Sequence, residues 1–296
     1  VTGRRLVKGE IYAGAYEIVE LIGSGSMGVV YRAIARASGR TIALKLMHAA
    51  LAHDAKSVHR FQREARAGMT IRDPHIAGVL GASENPETEE RWLVMEYADG
   101  RDLGVFMREH SPLAAGVEAE LLRQLYSAVR AAHKASVVHR DLKPENIMVD
   151  GAPGGPLLLK VLDFGIAKTL LSATAISTSP GQGTPLWTAP EQTRMDDVPK
   201  PTSDVWALGL LTFFVLTGKI YWSNAHGRSS MVKLAMELAR DPIVAPSQRA
   251  RELGMDVRLP GSFDDWFLHC VNRDPKSRFV DANAAYHALT ACLSRR

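Results

Sequence analysis

The sequence predicts an α+β chain in two parts, a small antiparallel β-sheet lobe carrying one helix and a larger, mainly helical lobe. Three observations carry this. Strand-like alternation broken by tight turns fills residues 16–46, a single helical period follows at about 54–69, and beyond Asp99-Gly100 the apolar spacing becomes that of helices. A chain of 296 residues with 46% hydrophobic content can bury a sizeable core, which excludes disorder as a whole.

In order along the chain, Tyr16–Ile22, Val29–Ala33 and Thr41–Leu46 read as three antiparallel strands, joined by a glycine turn and by Ser38-Gly39-Arg40. Asp54 is placed as a helix N-cap, with Val58, Phe61 and Ala65 following at i, i+3 and i+7. Two more strands are expected at 77–82 and 92–97, separated by a polar turn containing Pro86. The smaller lobe, with its connecting segment, is thus expected at 16–98 and the larger at 99–296, leaving 1–15 as an N-terminal extension of unread role. In the larger lobe, helices are expected near 117–134 and 281–293 and over the apolar run 205–216, which is shorter than the ~20 residues a bilayer span needs. The turn Gly151-Ala152-Pro153-Gly154-Gly155-Pro156 separates two short strands, and no internal repeat is present.

Composition narrows the partners. With 36 basic against 32 acidic residues, a net charge of +4 and no block of like charge, nothing favours nucleic acid. Cys270 and Cys292 read as two reduced thiols in or beside helices, with no disulfide framework or zinc spacing, which fits a cytoplasmic location. No secretory signal is visible and no membrane segment is expected in this chain. It begins at Val1 without a methionine, so it reads as a segment of a longer protein, whose membrane anchor, if it has one, lies elsewhere.

Three short stretches carry the chemistry. Gly23-Ser24-Gly25-Ser26-Met27-Gly28 lies between two strands, where missing side chains let backbone N–H groups approach phosphate oxygens. Alone it reads equally as a plain hairpin turn, and because no helix follows, it does not fit a dinucleotide-binding loop. Lys45 ends Ile42-Ala43-Leu44-Lys45 on the face opposite Leu44 and Leu46, a costly place for an unpaired cation. His139-Arg140-Asp141 then runs on to Asn146, and Asp163-Phe164-Gly165 follows. In this order, with the lysine between the first two, the set resembles the signature of the protein kinases. Asp141-Leu142-Lys143-Pro144-Glu145-Asn146 is similar to the serine/threonine branch, in particular to the eukaryotic-like bacterial serine/threonine protein kinases. The resemblance covers about residues 16–291.

The resemblance implies a two-lobed protein-kinase fold and a signalling phosphotransferase that moves the γ-phosphoryl group of ATP to Ser/Thr hydroxyls of protein substrates, with Mg²⁺ or Mn²⁺. Gly23, Gly25 and Gly28 would cover the phosphates. Val30 and Ala43 would roof the adenine, Met148 lie beneath it and Met95 stand behind, with backbone groups near Glu96 and Ala98 bonding its edge. Asp102 would accept the ribose hydroxyls; an exposed turn carboxylate is the alternative. Lys45 would hold phosphates and pair with Glu64, although Arg60 and Arg63 could instead solvate that glutamate on the surface. Asp141 would be the base, Lys143 would neutralise the moving phosphoryl group, and Asn146 and Asp163 would supply oxygen ligands to the metal. His139 reads as a packed structural imidazole. Thr184 would hydrogen-bond Asp141 and Lys143. Thr188-Ala189-Pro190-Glu191 would end the activation segment, Glu191 pairing with Arg278, and Asp204 would cap the catalytic loop. Autophosphorylation is expected at Thr178, with Ser177, Ser179 and Thr174 as neighbours and Arg140 as the phosphate's partner; a merely flexible Ser/Thr-rich loop is the alternative.

Two departures from the family stand out. Gly68 replaces a bulkier apolar residue, costing ~1 kcal/mol of helix propensity and a packing contact, so the helix with Glu64 is expected to be loosely held and to need a homodimer or regulatory protein partner. Leu216–Trp222 lacks the Pro-Pro-Phe usual in bacterial relatives, and 219–258 follows no recognisable pattern. Of the rival functions, a non-catalytic binding module would have lost Lys45, Asp141, Asn146 or Asp163, and a small-molecule kinase would lack the segment 163–191; this chain keeps all of them.

Overall fold

The computed structural model describes residues 5–25, 28–163, 185–193, 200–226, 230–257 and 259–294, with the backbone alone at helix positions 60, 63, 64 and 67. The chain divides into two units, Val1–Asp99 and Gly100–Arg296.

Among its described residues the first unit is one six-stranded antiparallel sheet, one α-helix and a short 3₁₀ helix, Ala49–Leu51. Its strands are β1 (Ile11–Tyr12), β2 (Tyr16–Ser24), β3 (Gly28–Ala35), β4 (Arg40–Met47), β5 (Val79–Glu84) and β6 (Arg91–Glu96), in the spatial order β1-β2-β3-β4-β6-β5. The period-2 alternation sends successive side chains to opposite faces. Ile18, Tyr31, Ala33, Ile42, Leu44 and Trp92 pack on one. Ala43, Met47, Leu93 and Met95 pack on the other, against Phe61 and Ala65 of helix α1 (Ala55–Thr70). Asp54 starts that helix as expected, its carboxylate accepting the Ser57 N–H at 3.0 Å.

Two findings differ from the sequence reading. The described part of the 1–15 stretch belongs to this unit: β1 pairs with β2 (Ile11↔Glu17, Tyr12↔Tyr16), Leu6 and Tyr12 are buried in the first face, and Tyr12 meets Trp92 edge-on at 5.2 Å. A two-residue strand carries no period to read. Gly68, in turn, does not leave a packing contact unmade. A Cβ there would lie 2.3 Å from Val79 Cγ2 and 3.0 Å from its Cβ, so the glycine is what lets β5 close on α1. The premise for a loosely held helix is therefore removed at this position.

The second unit is built on α4 (Pro201–Thr217), buried from Ser203 to Thr217 on every side, which is why its sequence has no polar face. Pro201 opens it and Gly218, at φ 69°, closes it with a left-handed cap. On it pack α3 (Ala115–Lys134), α7 (Phe263–Cys270) and α8 (Ala282–Leu293), and the unit also holds α2 (Leu103–His110), α5 (Met231–Ala239) and α6 (Pro246–Glu252). A small sheet, β7 (Arg101–Asp102), β8 (Ile147–Gly151) and β9 (Leu157–Val161), carries the functional loops at its ends. Cys270 and Cys292 are buried free thiols, and burial pushes the Cys270 thiol well above its ordinary range. Among the described residues no helix is long and apolar enough to cross a membrane.

The described part of the unpatterned stretch 219–258 is ordered by polar contacts rather than by periodicity. Glu237 of α5 is buried and accepts from the backbone N–H and side chain of both Ser223 and Asn224, and Arg249 of α6 pairs with it at 3.1 Å.

Candidate active site

In the second unit the loop between α3 and β8 is fixed from below by Asp204, at the head of α4 and 1% exposed. Its carboxylate accepts the backbone N–H of His139 at 2.8 Å and of Arg140 at 2.9 Å, and the His133 ring N–H at 2.8 Å. A buried carboxylate with three donors is satisfied, and it holds Arg140 at φ 69°, a left-handed conformation costly for a non-glycine residue. His139 is fully buried. Its Nε2 bonds the Leu162 carbonyl at 2.8 Å and its Nδ1 accepts the Asp141 N–H at 3.3 Å, which assigns the neutral tautomer with the proton on Nε2. Burial lowers its pKa, and with both ring nitrogens engaged by backbone groups it is held as a packed, neutral imidazole.

Asp141 follows directly. Asn146 Nδ2 donates to its side-chain Oδ2 at 2.9 Å and to its main-chain carbonyl at 2.8 Å, while Lys143 Nζ stands 3.6 Å from the same Oδ2. Pro144 opens the short 3₁₀ turn Pro144–Asn146 that makes the Asp141–Asn146 contact possible. The Leu162 N–H donates to the Asn146 carbonyl at 2.8 Å, tying Asp163, at φ 40°, to the same loop. Asp141, Lys143, Asn146 and Asp163 are thus brought onto one continuous backbone network. Half-buried Met148 lies in β8, opposite Asp102 in β7. Asp102 is not an idle turn carboxylate: its Oδ1 caps α2, accepting the Val105 N–H at 2.8 Å.

The segment after the undescribed stretch is anchored to this loop. Gln192 Nε2 donates to the Arg140 carbonyl at 2.8 Å. Glu191 and Arg278 form a two-pronged pair at 2.7 and 2.8 Å, with Ser203 Oγ as a third donor to the glutamate. Burial alone would raise the Glu191 pKa, but the arginine's hydrogen bonds and charge outweigh it and hold the carboxyl below its usual range.

In the first unit, Lys45 is paired in register with Val30 and Leu93, and Ala43 with Met95, so these side chains share the face on which α1 packs. The glycine turn is a hairpin: Ser24 pairs with Val29, and the Gly25 N–H donates to the Gly28 carbonyl at 2.9 Å. Gly28 is needed by close approach, since a Cβ there would lie 1.9 Å from the Leu46 carbonyl oxygen. Gly23 shows no such crowding. The Glu96 N–H donates to the Gly78 carbonyl at 2.9 Å. Ala98, next but one, is buried. The Glu64 side chain, Ser26 and Met27, Thr184, and Thr174, Ser177, Thr178 and Ser179 lie outside the described residues.

A family model described as protein kinase domain matches residues 16–289. Serine/threonine-protein kinase pkn3 of Myxococcus xanthus is 34% identical over 292 residues, covering 97% of this chain and 52% of the relative. Serine/threonine-protein kinase PrkC of Bacillus subtilis is 32% identical over 274 residues, covering 93% and 40%. The chain therefore spans about half or less of these curated relatives' length. Among solved structures, the kinase domain of Mycobacterium tuberculosis PknI shares the fold with a TM-score of 0.69 at 24% identity, covering 97% of this chain and 99% of that one. Rad53 1-466 in complex with AMP-PNP gives 0.69 at 25% identity, covering 93% and 65%.

Proposed function

We propose that this chain, which belongs to the protein kinase domain family, is a serine/threonine protein kinase: it transfers the γ-phosphoryl group of ATP to a Ser or Thr hydroxyl of a protein. The observation that carries this is the Asp141 carboxylate held by Asn146 at 2.9 Å with Lys143 Nζ at 3.6 Å, a base oriented beside a cation. The acceptor oxygen forms a bond to the γ-phosphorus as the bond to the bridging oxygen breaks. The hydroxyl proton passes to Asp141, ADP leaves with the bonding pair, and Lys143 offsets charge on the moving group. Such a loose transfer asks the protein for positioning and charge more than for covalent chemistry.

In this reading the first unit binds nucleotide: Lys45, paired with Glu64, holds phosphates beneath Gly23, Gly25 and Gly28. Val30, Ala43 and Met95 contact the adenine, together with the Glu96 carbonyl and the Ala98 N–H. In the second unit the same reading assigns nucleotide contacts to Met148 and to Asp102, the latter through the carboxylate oxygen not used as a cap.

The donor chemistry fits a hard divalent cation. Asn146 is oriented by its Nδ2 bonds to Asp141, which leaves Oδ1 as its ligand atom, and Asp163 adds a carboxylate. Among the described residues no three His, Cys, Asp or Glu side chains form a metal cage, as suits a cation that takes its remaining ligands from phosphates and water. Bound there, Mg²⁺ or Mn²⁺ would neutralise phosphate charge. The same reading includes self-modification at Thr178, beside Ser177, Ser179 and Thr174, and a role for Thr184 next to Asp141. The buried free thiols support a reducing, cytoplasmic compartment.

Incubation with γ-labelled ATP, Mg²⁺ and a generic basic protein tests the reading. Label recovered as phosphoserine or phosphothreonine is the expected result, and no transfer to any protein would count against it.

A further inference from the structure

Resting on that reading, we infer that Trp222, Glu237 and Arg249 are positioning residues for the protein acceptor, fixing the segment 186–192 relative to the base Asp141. The indole N–H of Trp222 donates to the Leu186 carbonyl at 2.7 Å. At the other end of the same segment, Gln192 bonds the Arg140 carbonyl, one residue before Asp141. The segment is therefore held at both ends, and Trp222 is the side chain that holds its Leu186 end.

Trp222 is itself placed with unusual care. Its ring stacks on Trp206 of α4 at 6.2 Å, and the Arg278 guanidinium that grips Glu191 lies over Trp206 at 5.0 Å. The next two residues are captured by Glu237: its Oε1 accepts the Ser223 N–H and hydroxyl, both at 2.8 Å, and its Oε2 accepts the Asn224 N–H at 2.8 Å and Nδ2 at 3.0 Å. Arg249 neutralises this carboxylate at 3.1 Å, and its guanidinium lies 5.0 Å over the Tyr221 ring. Residues 221, 223 and 224, on either side of Trp222, are thus fixed by a single ion pair.

Packing alone does not call for this arrangement. A buried ion pair stabilises a fold no better than apolar residues of the same volume, but its directional bonds fix a backbone in one place. Here the backbone fixed is the one that carries the donor to Leu186. This is also within the stretch that lacks the Pro-Pro-Phe usual in bacterial relatives, and Trp222 brings an indole N–H to it.

The test compares Trp222→Phe and Glu237→Gln with the parent in steady-state kinetics, varying a protein acceptor and ATP separately, alongside thermal melts. Phenylalanine keeps the ring but leaves the Leu186 carbonyl without its donor. Glutamine turns one of the two accepting oxygens into an NH₂ donor. The expected result is a KM for the acceptor raised about tenfold in both folded variants, with the KM for ATP within about twofold of the parent. An acceptor KM unchanged in both would overturn the inference, as would a parallel rise in the KM for ATP or loss of the fold in both variants. A parent that transfers no phosphate to any protein would instead overturn the functional reading itself.

Discussion

Asn146 Nδ2 lies 2.9 Å from the Asp141 carboxylate and 2.8 Å from the Asp141 carbonyl, so one side-chain amide holds both ends of the residue proposed as base. The same bonds turn the asparagine oxygen toward the cation role. Asn146→Ala removes the orienting donor and a metal ligand together. The expected result is a fall in kcat of about a hundredfold or more, with a higher Mg²⁺ concentration needed for half-maximal rate. A loss of rate with unchanged Mg²⁺ dependence would confine the residue to orienting Asp141.

Lys45 lies in a strand interior, in register with Val30 and Leu93. Methionine keeps the apolar stem and removes the charge, so Lys45→Met should retain the parent's circular dichroism and lose phosphoryl transfer. Activity within about tenfold of the parent would remove Lys45 from the site.

Gly68→Ala is expected to destabilise, although alanine is the better helix former by ~1 kcal/mol. Its Cβ would meet the β-branched Val79 at 2.3 Å, and forcing a methyl into a filled site typically costs ~1–3 kcal/mol. Denaturant titration should show the loss, and Val79→Ala in the same chain should recover part of it. A stabilised single variant would contradict the close approach.

Stability should depend on acid in two stages. Burial lowers the His139 pKa in the folded state, so as pH falls through about 6.5 the unfolded chain takes up a proton that the folded chain resists, and stability drops. Glu191 is held below the ordinary carboxyl range by Arg278, so its contribution persists above about pH 4.3 and is lost as pH falls through its folded value. Thermal melts should be flat between about pH 7 and 8 and decline below about 6.5, and His139→Asn should weaken the first stage. An equal decline in that variant would place the titration on another group.

The strands of the first unit and the spacing of Asp141, Asn146 and Asp163 could be read in the sequence because each is set by local period or by a short motif. Asp54 as a cap and Asp204 as the anchor of the catalytic loop were legible for the same reason. Gly68 was misread because propensity is a property of one helix, whereas its packing partner, Val79, lies on a strand that the sequence places separately. Glu237 and Arg249 left no signal: their meaning lies in bonds to Ser223 and Asn224 made across turns with no period. The two-residue strand Ile11–Tyr12 was equally silent, since its stability comes from Trp92, far along the chain.

The central claim is that Asp141 receives the proton of a protein hydroxyl. Its most direct test is label transfer from γ-labelled ATP with Mg²⁺ to a basic protein acceptor, comparing the parent with Asp141→Asn at equal folded concentration. Asparagine keeps the shape but cannot take the proton. The account predicts transfer by the parent to serine or threonine and a loss of about a thousandfold or more in the variant, with ATP affinity retained. Equal transfer by the two proteins would contradict it.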